Sequence, residues 1–117
     1  LAEDMHRPAE ALPYAEKAEQ LAPDSPTVLD TLGWVYYRLG RNQDAIRTLT
    51  KAAERAQGRD NSDEFIALVH LAIVTMESGD ARTAREIKAR AETLIKLEPS
   101  IKNYYPTALD ELRAAVN

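Results

Sequence analysis

The chain has 117 residues, 44% of them hydrophobic, with a net charge of −4 and no cysteine. That is enough apolar material for one continuous core, while the missing thiols exclude disulfides, thiolate zinc sites and cysteine nucleophiles. The acidic balance gives no overall pull toward nucleic acid or anionic lipid, and no apolar run reaches the ~20 residues with which a helix spans a bilayer.

Alanine, leucine, glutamate and arginine predominate and alternating valine-rich runs are missing, so the elements are predicted to be helices. Residues 8–23 read as a first helix, with Ala11, Ala15 and Ala18 along one face and Pro23 closing it. Ser25 is placed to cap the next, with Pro26 at its first position, where the missing N–H costs nothing. Gly40 ends that helix, and Asn42 is predicted to cap one running to about Gln57, before the polar break Gly58 to Asn61. Asn61 with Glu64 has the spacing of a capping box and opens a helix that ends near Gly79. Asp80 caps another to about Leu97, stopped by Glu98-Pro99. Pro106 to Val116 reads as a last amphipathic helix carrying Leu109, Leu112 and Val116, with Tyr104-Tyr105-Pro106 as a staple at its start. The short loops between helices make neighbours antiparallel.

The chain also repeats itself. Shifted by 34 residues, Ala11, Ala15 and Ala18 fall on Ala45, Leu49 and Ala52; shifted by 39, Leu29, Leu32, Gly33, Gly40, Ala45 and Ala52 fall on Leu68, Leu71, Ala72, Gly79, Ala84 and Ala91. Self-similarity of this length marks a helical array. It explains why a helix keeps Gly33, which costs about 1 kcal/mol relative to alanine. Two antiparallel helices approach closely only where small residues meet, and Gly33 is predicted to face Ala45 and Ala52.

Leu29-x-x-Leu32-Gly33-x-x-Tyr36, followed by Ala45, Leu49 and Ala52, resembles the tetratricopeptide repeat, and the likeness extends over about residues 8 to 99. The resemblance implies an all-α, right-handed α-solenoid of antiparallel helix hairpins with a C-terminal capping helix. One domain, 1–117, would then comprise the second helix of a partial repeat (8–23), a full repeat (26–57), a divergent repeat (62–97) and the cap (104–116). Gln57, Thr75 and Lys88 depart from the family pattern, and about five extra residues around Asp60 to Glu64 lengthen the link between the second and third copies. The wording DTLGWVYYRLGR is similar to that of bacterial repeat proteins, including long ones linked to exopolysaccharide and export systems. Together with the start at Leu1, it leads us to expect a C-terminal fragment of such a protein, in cytoplasm or periplasm.

The resemblance implies a non-catalytic scaffold without cofactors, whose first helices line a concave groove that holds a peptide or protein. In the second repeat this face presents Thr27, Asp30, Trp34, Tyr37 and Arg38; in the third it presents Ile66, Val69, Ile73, Met76 and Glu77. The third-repeat helix is apolar on nearly all sides, which demands a cover: the C-terminal helix, a second copy of the chain as a homodimer, or a partner. Arg47, Lys51, Arg55 and Arg59 form a stripe of like charge that would suit RNA or an acidic partner, although without interleaved aromatics it reads first as a solvated face. Glu3, Asp4, Glu10, Glu16 and Glu19 could meet that stripe on another molecule. His6 and His70 have no metal-type spacing to a carboxylate, and no phosphate cradle, nucleophile elbow or fixed acid/base pair appears.

Overall fold

A computed structural model describes residues 7–117, and every regular element among them is helical. In chain order these are α1 (Pro8–Leu21), α2 (Pro26–Arg38), α3 (Asn42–Ala56), α4 (Asn61–Glu77), α5 (Ala81–Leu97), the single turn α6 (Ile101–Tyr104) and α7 (Ala108–Ala115). Each long helix packs on its successor, α2 also meets α4 across the stack, and α6 and α7 fold back onto α4. The predicted helical array is what forms.

Small side chains line the seams. Ala45, Ala52 and Ala56 of α3, Ala67 and Ala72 of α4, and Ala84 and Ala91 of α5 are fully buried, with Leu29, Leu32, Leu49, Phe65 and Leu68 filling the space between. Gly33 marks a close approach between α2 and α3. A Cβ there would lie 2.5 Å from Leu49 Cγ and 2.7 Å from its Cδ2, inside van der Waals contact. Its opposite number is thus Leu49, which lies between Ala45 and Ala52 on α3, rather than those two alanines themselves. The alanines flank the crossing and let Leu49 seat against the bare glycine.

The hairpin corners repeat. At the end of α2, Arg41 N–H donates to Tyr36 O at 2.9 Å and Gly40 N–H to Tyr37 O at 2.9 Å; at the end of α4, Asp80 N–H donates to Thr75 O at 3.2 Å and Gly79 N–H to Met76 O at 3.0 Å. These paired bonds require a left-handed residue at the corner, and Gly40 and Gly79 supply it with φ of +77° and +97°. Two start signals hold: Ser25 Oγ accepts from Val28 N–H and Asp80 Oδ1 from Thr83 N–H. Two differ. Asn42 is the first helical residue and caps nothing; instead Arg41 Nε donates to Asp44 Oδ2 at 2.9 Å. The α4 cap is Asp60, whose Oδ1 accepts from Asp63 N–H at 3.0 Å, one residue before Asn61.

The predicted last helix is α7, which starts at Ala108 rather than Pro106, and the single turn α6 precedes it. Tyr105 is half-buried with its ring 6.4 Å from that of Phe65, while Tyr104 faces solvent. Leu109, Leu112 and Val116 are buried in the shared core. Lys88, which departs from the family pattern, donates from Nζ to Val116 O at 2.7 Å, and Arg85 Nε reaches Asn117 O at 3.0 Å. A charged residue replaces an apolar one there because its partner is a carbonyl at the end of the cap.

Candidate functional site

The first helices of the two hairpins, α2 and α4, run side by side, and their shared face carries an aromatic seam. Trp34 stacks on His70 with centroids 4.2 Å apart and planes at 28°, and tilts against Tyr37 at 4.7 Å. His70 Nδ1 lies 2.8 Å from Asp30 Oδ1; since a carboxylate only accepts, this bond selects the tautomer with its proton on Nδ1. Four side chains from two helices are therefore held together on one surface, with Trp34 half-buried.

The two ends of the seam are polar. At the C-terminal end of α2, Tyr37, Arg38, Gly40, Asn42 and Glu77 line a hollow of about 370 Å³. Burial, reinforced by the Glu77 carboxylate, pushes the Tyr37 hydroxyl up to about 12. At the other end Pro26, Thr27, Asp30, Asp63, Ile66 and Tyr105 surround a small hollow of about 30 Å³. It shares Asp63 and Tyr105 with a wider one of about 650 Å³, which is bounded also by Asp60, Glu98 and Tyr104. Burial raises Asp63, as do the neighbouring charges of Asp60 and Asp30; burial raises Tyr105 too, followed by the charges of Asp63, Asp30 and Asp60.

Of the residues predicted for this face, Thr27, Arg38 and Glu77 are exposed, and Asp30, Trp34, Tyr37, Ile66, Ile73 and Met76 are half-buried. Val69 is the exception: at 1% exposure it belongs to the core and cannot meet a partner. The sequence pattern did not place His70 or Asp63 on this face, and it named Tyr105 as part of the staple at the start of the last helix, where its ring could also extend the binding surface. His70 falls four residues after Ile66 and three before Ile73, so its helical spacing was the available signal.

The basic stripe on α3 is partly neutralised. Arg47 pairs with Asp44 at 3.2 Å and Arg55 with Asp24 at 3.0 Å, while Lys51 is half-buried and Arg59 exposed. The hydrogen bond from Arg55 holds the Asp24 carboxyl below its usual range, with the charges of Arg55, Lys51 and Arg59 adding to it. Glu3, Asp4 and His6 lie outside the described residues. Among those described, no group of three or more His, Asp or Glu is placed to hold a metal ion, and no helix is long and apolar enough to cross a membrane.

A model of the tetratricopeptide repeat (TPR) matches residues 2–64, more than half of the chain. The chain belongs to the tetratricopeptide repeat family. TPR repeats generally mediate protein–protein interaction and are generally non-catalytic scaffolds. The TPR repeat-containing protein PA4667 of Pseudomonas aeruginosa is 44% identical over 55 residues, 47% of this chain and 9% of that protein. The chain therefore spans under a tenth of that relative's length. No solved structure matches it.

Proposed function

We propose that this TPR chain is a non-catalytic scaffold that holds a segment of a partner protein against the α2/α4 face. Its domain plan is one unit in which residues 8–23 are the second helix of a partial repeat, 26–57 a full repeat, 62–97 a divergent repeat and 104–116 the cap. The observation that carries this reading is Trp34, stacked on His70 and only half-buried. A large amphipathic ring already fixed by its neighbours loses little freedom on binding, which is the character of an interface hot spot. Thr27, Asp30, Tyr37 and Arg38 extend the face along α2, and Ile66, Ile73, Met76 and Glu77 along α4.

The test is affinity capture with the parent chain and with Trp34→Ala, matched for helicity, followed by identification of what the parent retains and the variant loses. Identical retention by both rejects the groove. Self-association through the apolar side of α4 is the second reading. It has less surface to use, because α7 lays Leu109 and Leu112 into that core. Light scattering over a concentration series separates the two. RNA binding by the α3 stripe is tested by retention at low ionic strength, where a phosphate contact would be strongest.

A further inference from the structure

We propose that the groove selects a cationic segment: one lysine or arginine seated between Asp30 and Asp63, with an apolar residue of the same segment lying on Trp34 and Tyr37. This rests on the groove reading above and names the chemistry of what fills it.

The first support is the distribution of charge along the face. Asp30, Asp60, Asp63, Glu77 and Glu98 border it, against Arg38 at one end, Arg59 on the rim of the wide hollow at the other, and His70, which is already bonded to Asp30. Among the described residues no ion pair reaches Asp60, Asp63, Glu77 or Glu98. Capping explains Asp60, since a carboxylate at the start of a helix is stabilised by the backbone there. Asp63, in the first turn of α4, is favoured by the same backbone, yet its carboxyl is shifted upward by burial and by the charges of Asp60 and Asp30, and Asp30 has the His70 ring as its partner. A carboxylate held near like charges in a partly buried hollow is relieved by a cation.

The second support is shape. Tyr105, Ile66 and Pro26 line the small hollow beside Asp30 and Asp63, so the stem of a lysine or arginine meets apolar surface while its head reaches the carboxylates. Trp34 and Tyr37 lie on the same helix face as Asp30, one and two turns further along. Seven residues of helix from Asp30 to Tyr37 span about 10 Å at 1.5 Å per residue, and an extended chain covers that distance in about three residues. The ligand signature is therefore a basic residue and an apolar one about three positions apart.

The experiment is selection of a displayed random heptapeptide library on the full chain, scored as enrichment on the parent over Trp34→Ala, with Tyr37→Ala as the second reference should Trp34→Ala lose helicity. The expected result is enrichment of lysine and arginine about three positions from an apolar residue. Peptides so selected should shift the emission of Trp34, the chain's one tryptophan, bind about tenfold more weakly to Asp63→Asn, and weaken with salt. Groove-dependent peptides that are neutral or acidic, or that bind Asp63→Asn as well as the parent, overturn the cationic ligand and leave the groove standing. No enrichment that depends on Trp34 or Tyr37 overturns both.

Discussion

Gly33→Ala tests whether the glycine is kept for packing. Alanine gains about 1 kcal/mol of helix propensity over glycine, so an unconstrained site would be stabilised. The new Cβ, however, would come within 2.5 Å of Leu49 Cγ, a branch point on a side chain that is 0% exposed. Overpacking of this kind costs about 1–3 kcal/mol, which leaves a net loss of about 1 kcal/mol in the single variant. Leu49→Ala alone leaves a cavity and costs about 2–5 kcal/mol. In that background the clash is gone while the propensity gain remains, so adding Gly33→Ala should recover about 1 kcal/mol, a coupling of roughly 2 kcal/mol between the two sites. Urea melts of all four proteins followed by circular dichroism give each value. A Gly33→Ala chain more stable than the parent, with the same increment in both backgrounds, would refute the close-approach argument.

Trp34→Ala should weaken partner capture with little change in far-ultraviolet ellipticity, because the ring is only half-buried; an equal loss of helicity and binding would make it a core residue instead. Val116→Asp puts a carboxylate at a position 0% exposed, and an unpaired buried charge there should release α7, lowering the melting temperature and producing concentration-dependent association in light scattering. In a spectrophotometric titration, Tyr37 should ionise near pH 12, and Glu77→Gln should lower that midpoint. The sign for stability follows: an unfolded tyrosine gives up its proton near 10 and the folded Tyr37 near 12, so this contribution is intact below pH 10 and is lost between 10 and 12. Urea midpoints measured from pH 9 to 12 should fall less steeply in Tyr37→Phe than in the parent.

What was legible in the sequence was what local chemistry decides. Ser25 before Pro26, Gly40 and Gly79 at the corners, and alanines at matching places in successive helices each follow from geometry within a few residues. Start signals blurred where two good capping residues adjoin, as at Asp60 and Asn61; the extended backbone of Asp60 (φ −148°, ψ 109°) decided in its favour. Val69 was misplaced for a different reason. With apolar residues all around α4, periodicity gives no phase, so the buried and open sides could not be told apart. His70 escaped because its partner, Asp30, is 40 residues away and the two meet only through the stacking of one hairpin on the next. Lys88 looked like a defect until its carbonyl acceptor on the folded-back C-terminal segment was visible.

The stretch from Gly58 to Asp63 breaks the beat of an otherwise regular chain, yet it brings two of the carboxylates that border the groove mouth. Stacking and surface charge are thereby written in different places. Alanines and glycines hold the scaffold, while the connector and the first turn of α4 set the charge at one end of the α2/α4 face.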